Sequence, residues 1–128
     1  MDRAELARRE PNVVDKARLL RAQARACEAA GDGAGAADAM AAAAHYTPDD
    51  QSAILEYADV LARTGQGPAA ADLIAARVDE AIARQASADE IAGLRLRHAA
   101  ILEDACGDRA AAAAVLEVLL ADYPTYAP

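Results

Sequence analysis

Apolar side chains recur every three or four residues along most of the chain, which is the spacing of one face of an α-helix. Long runs of the β-branched residues that strands favour do not occur. The pattern predicts an all-α protein whose helices form three hairpins. The apolar positions are Leu19, Leu20, Ala24 and Cys27 in the first helix, Ile54, Leu55, Ala58 and Leu61 in the third, Leu73, Ile74, Val78 and Ile82 in the fourth, and Ile91, Leu94 and Ile101 in the fifth.

Residues that begin and end helices separate these segments. Asn12 or Asp15 can cap the first helix, so we expect Pro11 to separate it from a short segment over residues 3–9. The second helix should end before Pro48, because a residue that precedes proline is displaced from the α region. The remaining boundaries are Pro68 in the first turn of the fourth helix, the capping-box pair Ser87 and Glu90 at the start of the fifth, and residues 108 and 121 at the ends of the sixth.

Three glycines, Gly31, Gly65 and Gly107, stand in matching surroundings. Each has an alanine five residues later and another seven residues earlier, and two are followed after seventeen residues by Pro48 and Pro124. Such regular spacing is typical of a repeated helix-turn-helix unit. The matching alanines are Ala36, Ala70 and Ala112 after the glycines, and Ala24, Ala58 and Ala100 before them.

The repeat spacing changes once. The first two glycines are 34 residues apart and the second two are 42 apart, and Ile82 stands where the proline would end the unit. Eight residues are close to two helical turns of about 3.6 residues each. We therefore expect the last helix of the second hairpin and the first helix of the third to be longer by about one turn each.

This 34-residue period, with small residues at its eighth and twentieth positions, resembles the tetratricopeptide repeat (TPR) family. The resemblance implies one domain over residues 1–128, a right-handed α-solenoid of three hairpins after an N-terminal segment. The alanines should be buried where two helices cross, and exposure of Ala58 or Ala100 would contradict this frame and the interaction-module interpretation that depends on it. An alanine-rich helical bundle is the alternative. The segments are 1–16 before the repeats, repeats 17–50, 51–84 and 93–126, and an insertion at 85–92.

Composition adds limits to this prediction. The 128 residues suit one domain, and 39 alanines with no Phe or Trp predict a thin core between closely packed helices. The net charge of −8 argues against nucleic-acid or anionic-membrane partners. The charged N-terminus and the lack of a long apolar stretch predict a cytoplasmic protein. Cys27 and Cys106 are expected to be small buried hydrophobic residues in a reducing compartment.

The TPR resemblance also implies a concave groove lined by the first helix of each hairpin. Arg18, Arg21 and Arg25 share one helix face and can offer forked donors to a carboxylate, so we expect a protein or peptide partner, acidic or with a free C-terminal tail. The alternative is a solvated face with local ion pairs, such as Arg25 with Glu28 or Asp59 with Arg63. The implied groove positions are Arg18, Arg21, Arg25, Glu28, Ser52, Leu55, Asp59, Arg63, Leu94, Arg97, Ile101 and Asp104.

The last helix is apolar around most of its circumference, which is more than one neighbouring hairpin can bury. We expect a C-terminal assembly surface there, covered by a second copy in a homo-oligomer, by a following domain or by a bound protein. The alternative is that Tyr123 and Tyr126 fold back over it. The surface consists of Val115, Val118, Leu119 and Tyr123.

No set of residues in the sequence predicts catalysis. His45 and His98 lack a helical metal-ligand partner, and the glycines at 31, 33 and 35 lack the lysine of a phosphate-binding loop. We predict no cofactor and no metal, and a non-catalytic protein-protein interaction module or scaffold. The alternatives are a targeting or regulatory TPR domain of a larger enzyme, such as a transferase, and a purely structural oligomerisation scaffold.

Overall fold

The computed structural model describes the backbone of residues 3–123 and the side chains of residues 13–123, so Pro124 and Tyr126 lie outside the described residues. The described part contains six α-helices and no strand, which confirms the all-α prediction. The helices are α1 (Arg3–Ala29), α2 (Gly33–Tyr46), α3 (Gln51–Arg63), α4 (Gly67–Ala83), α5 (Ala88–Asp104) and α6 (Arg109–Asp122).

The chain divides into two compact units, Met1–Thr64 and Gly65–Pro128. In unit 1, α2 packs against both α1 and α3, and in unit 2, α5 packs against both α4 and α6. A small apolar core in unit 1 joins Ala24, Ala36, Met40 and Val60. The arrangement of three successive repeats in one solenoid stays a prediction.

Side-chain caps and left-handed residues fix the ends of most helices. Four of the helices begin after a residue whose side-chain oxygen accepts a hydrogen bond from the backbone N–H three residues later, each worth about 1 kcal/mol. The cap pairs are Asp32 with Gly35, Asp50 with Ala53, Ser87 with Glu90 and Asp108 with Ala111. Gly31, Gly65 and Gly107 have φ of 80°, 81° and 65°, which confirms them as the predicted turn residues.

The start of α1 differs from the prediction. The helix begins at Arg3 and continues through Pro11, so a separate segment over residues 3–9 and a cap at Asn12 or Asp15 are wrong. A proline has a fixed φ of about −65°, which is itself helical, but it removes its own N–H from the hydrogen-bond ladder and its ring crowds the carbonyl four residues earlier, at a cost of about 3 kcal/mol. The prediction of a break treated this free-energy cost as too large for a helix, whereas α1 accommodates Pro11.

The extra residues lengthen α4 and α5, as predicted. Each has 17 residues, against 14 in α2, 13 in α3 and 14 in α6. In place of a proline stop, the turn after α4 contains Gln85, which has a left-handed φ of 57°. The next N–H, from Ala86, donates to the Ala81 carbonyl at 2.9 Å and closes the turn.

Five of the six matching alanines are buried as predicted, and the sixth is not. Ala24, Ala36, Ala58, Ala70 and Ala112 are all buried. Ala100 is exposed, and its neighbour Ala99 is buried instead. The glycine-based frame is therefore wrong at this position, and an interaction module no longer follows from that frame.

The turn after α5 explains this offset of one residue. After α1, the N–H that follows the glycine, from Asp32, donates to the carbonyl of Cys27, five residues back. After α5, the corresponding N–H of Asp108 donates to Leu102, six residues back. One extra residue therefore lies between the helix and Gly107, and α5 presents a face one residue earlier than the repeat frame predicts.

Candidate functional site

Unit 1 contains a cavity of about 170 Å³ with an apolar floor and charged walls. Ala24, Met40 and Val60, all buried, form the floor. The floor joins three helices, whereas the charged walls come only from α1 and α3. The complete lining is Arg21, Ala24, Arg25 and Glu28 of α1, Met40 of α2, and Glu56, Asp59, Val60 and Arg63 of α3.

Arg21 connects α1 to the start of α3. Its Nη2 lies 3.2 Å from Oδ2 of Asp50, and its Nε lies 3.4 Å from Oε2 of Glu56. Asp50 also caps α3 through its other carboxylate oxygen, which accepts from the Ala53 N–H at 3.3 Å. The Asp50 carboxylate is held in place by its bond to the start of α3, and it in turn positions the Arg21 guanidinium.

A second bridge joins the same two helices one turn beyond Arg25. Arg63 donates from Nε and Nη2 to the two carboxylate oxygens of Glu28, at 2.7 and 3.1 Å. This two-bonded contact lowers the pKa of Glu28 and raises the pKa of Arg63. The neighbouring Asp59 and Glu56 charges raise the pKa of Arg63 further.

Arg25 lies between these two bridges along α1. Within the part of the chain whose side chains are described, no carboxylate lies within ion-pairing distance of its guanidinium, and the side chain is exposed. The other lining charges are two cations, Arg21 and Arg63, and three carboxylates, Glu28, Glu56 and Asp59, so the complete lining has no net charge. Arg21 and Arg63 are already engaged in ion pairs. The cavity thus presents one available cation above an apolar floor, which suits a carboxylate next to an apolar group.

The predicted groove residues divide into three groups. Arg21, Arg25, Asp59 and Arg63 line the cavity with Glu28. Arg18, which lies 3.8 Å from Asp15, and Leu55 are outside its lining. In unit 2, Arg97 is partly buried, whereas Ile101 and Leu94 are buried, so these last two are wrong as groove surface because of the offset in α5.

The alternative of local ion pairs named two pairs, and the structure differs for one of them. The charge of Asp59 acts on Arg63 as expected. Glu28 pairs with Arg63 rather than with Arg25. Glu56 and the floor residues Met40 and Val60 were missed. Glu56 has one usable sequence signal, because it lies on the same side of α3 as Asp59 and Arg63.

Unit 2 contains a cavity of similar volume, about 160 Å³, with mostly apolar walls. The histidine that lines it, His98, has a pKa lowered by burial, an effect that the charge of Asp72 partly opposes. Arg95 donates to Asp122 at 2.6 Å. The lining is Ala75, Val78 and Asp79 of α4, Arg95 and His98 of α5, and Val115 and Val118 of α6.

The assembly surface predicted on α6 is only partly exposed. Val118 is 48% exposed, whereas Leu119 is 3% exposed and is wrong as a surface residue. Val115 and Tyr123 are partly buried. Leu119 lies on the buried side of α6 with Ala112, and the exposed large side chains of this helix are Val118 and Leu120.

Both cysteines are free thiols and only partly buried, so complete burial was wrong for them. Among residues 3–123, no helix combines the length and the apolar character that crossing a bilayer requires. No protein-family model, no curated protein and no solved structure matches this chain.

Proposed function

We propose that this protein is a non-catalytic, TPR-like interaction module that binds a peptide segment in the cavity of unit 1. One observation carries the proposal: Arg25 offers its guanidinium beside an apolar floor, between two ion pairs that connect the cavity walls. We also propose a cytoplasmic location, in keeping with two cysteines that are free thiols.

The two bridges favour binding over a purely structural role for this site. An interaction that holds α1 and α3 together fixes the spacing of the walls before a ligand arrives, so less freedom is lost on binding. The bridges also occupy Arg21 and Arg63, which leaves Arg25 as the available donor for a ligand carboxylate. A ligand with one carboxylate therefore suits the site better than a highly acidic segment.

The volume limits what enters the cavity. Pockets for drug-sized ligands occupy about 300–1,000 Å³, and this one is smaller. It suits one small apolar side chain, with the rest of the peptide lying across the rim. The ligand class is a peptide whose carboxylate, from its C-terminus or from an acidic side chain, is next to a small apolar residue.

The test is a titration of fluorescent peptides that end in alanine or valine, with C-terminally amidated copies as controls. We expect the free carboxylate to bind more tightly, and Arg25→Ala to weaken binding about tenfold, the effect of losing one charged hydrogen bond. Arg18→Ala is the matched control, because Arg18 is an exposed arginine of the same helix that lies outside the cavity lining. Higher salt should weaken the interaction modestly, since one unpaired charge is involved.

Equal affinity for the free and amidated peptides would contradict a carboxylate site. Equal effects of Arg25→Ala and Arg18→Ala would instead show that the exposed face of α1, and not the cavity, attracts the peptide. Circular dichroism of both variants verifies that the helices are retained.

A further inference from the structure

We propose that the cavity of unit 2 is a second docking site, which accepts an apolar side chain from a basic amphipathic helix of another protein. This goes beyond the peptide site of unit 1, because the two cavities have different helices, different walls and opposite charge preferences.

The apolar part of the site has the shape of a short groove. Val78 on α4 and Val115 and Val118 on α6 contribute its walls, and α5 forms the floor between them. One turn beyond Val78 on the same face of α4, Ile82 is 46% exposed and extends the apolar wall. A volume of about 160 Å³ is suited to one inserted side chain, not to a separate drug-sized ligand.

The charges around this groove favour a basic partner. Asp79 lines it and is exposed, and Asp72 is close enough to act on His98. The arginine of the lining, Arg95, has a side chain that is only 13% exposed and that is bonded to Asp122. The accessible rim is therefore acidic, and unit 2 as a whole carries ten acidic and five basic residues.

The same charge disfavours a second copy of this chain as the occupant. Each copy has a net charge of −8, so two copies that met through unit 2 would bring like charges together. An amphipathic helix with leucine on one face and lysine on the other instead presents an apolar anchor to the groove and cations to Asp72 and Asp79. Recognition of an amphipathic helix by a groove between helices uses this arrangement.

The probe is a fluorescent helical peptide built from leucine and lysine, measured by anisotropy against the intact chain. Two matched peptides accompany it, one with glutamate in place of lysine and one with alanine in place of leucine. We expect the leucine-lysine peptide to bind at least about tenfold more tightly than either, with an affinity that falls as salt rises.

Two variants of α6 locate the site. Val118→Lys places a long charged side chain in the groove and should weaken binding at least about tenfold. Leu120→Lys is the control, because two residues along a helix are about 200° apart and Leu120 is already 58% exposed. Asp79→Asn should weaken binding about threefold, and Arg25→Ala in unit 1 should leave it unchanged.

Several results would overturn the proposal: failure of the leucine-lysine peptide to bind, equal binding of the glutamate peptide, or equal effects of the two α6 variants. Light scattering gives one more such result. A dimer that Val118→Lys converts to a monomer would identify a second copy as the occupant of the groove. A monomeric chain that binds the basic peptide supports the proposal.

Discussion

The two units contain cavities of similar volume between helices, but the walls are charged in unit 1 and mostly apolar in unit 2. In unit 1, arginines and carboxylates reach across the cavity from α1 to α3 and pair there. In unit 2, valines line the cavity, and Arg95 is bonded to Asp122 near the end of α6. A repeated pattern of alanines and glycines thus constrains helix contacts but leaves the lining of each groove independent.

The difference also concerns which helices flank the cavity. In unit 1 these are α1 and α3, the first helices of two predicted hairpins, and in unit 2 they are α4 and α6, the second helices. In unit 1, α1 and α3 contribute arginines to the cavity lining, whereas in unit 2, α4 and α6 contribute valines. Two chemically different ligands are therefore expected from one repeated framework.

The largest effect is expected from a charge placed inside unit 2. Leu119→Glu would bury a carboxylate in an apolar site and should lower the free energy of unfolding by at least about 3 kcal/mol. Leu120→Glu, one residue away and exposed, should change it by less than about 0.5 kcal/mol. Urea denaturation followed by circular dichroism measures both, and a small effect of Leu119→Glu would contradict the orientation of α6.

A second substitution pair tests the one-residue offset that separates α5 from the first helices of unit 1. Ala99→Leu would overpack a buried position and should cost about 1–3 kcal/mol, as should Ala58→Leu in unit 1. Ala100→Leu should be nearly neutral because Ala100 is exposed. Thermal unfolding separates the outcomes, and a destabilised Ala100→Leu with an unaffected Ala99→Leu would restore the repeat frame that the glycines predict.

The two units should also respond to acid in different pH ranges. Burial lowers the pKa of His98 below its ordinary 6.5, so the unfolded chain binds the proton more tightly, and this contribution to stability is lost as pH falls below about 6.5. Arg63 lowers the pKa of Glu28 below 4.5, so that contribution remains above pH 4.5 and is lost only as pH falls further. The exposed Glu28 pair contributes at most about 1 kcal/mol.

Free energies of unfolding measured across this pH range, for the parent chain, His98→Gln and Glu28→Gln, verify the assignment. His98→Gln should flatten the slope near pH 6, and Glu28→Gln should flatten it only in more acidic solution. Interchanged effects would mean that the two groups do not have the environments described here.

Local sequence signals predicted the helix ends and turns, whereas contacts between residues far apart in the sequence could not be predicted from them. The caps at Ser87 and the turns at Gly31 and Gly65 involve bonds within a few residues, so spacing alone identified them. The pair Glu28 with Arg63 joins residues that are 35 apart in the sequence. The sequence contains many other arginines and carboxylates that could form such a pair. Local sequence does not decide among them.

Two other predictions, the buried face of α5 and the exposed face of α6, were wrong because local spacing does not show which side of a helix contacts its neighbour. An extra residue in the turn after α5 leaves the glycine in place but moves every position of the helix before it. On α6, apolar residues occupy nearly the whole circumference, so periodicity alone did not distinguish buried Leu119 from exposed Leu120. In both cases the neighbouring helix determines which residue is buried.

The smallest predicted effect compares how helices end in the two units. In unit 1, the turn after α1 contains Gly31, which has a left-handed φ, whereas in unit 2, the turn after α4 contains Gln85, a residue with a side chain and a φ of 57°. Gln85→Gly should raise the free energy of unfolding by up to about 1 kcal/mol, because strain in the folded state exceeds the added freedom of the unfolded chain. Gly31→Ala, with no atom near its new side chain, should lower it by about 1 kcal/mol through backbone strain alone. Thermal denaturation of both variants measures these changes, and a destabilised Gln85→Gly would show that the glutamine side chain stabilises the turn more than its backbone conformation costs.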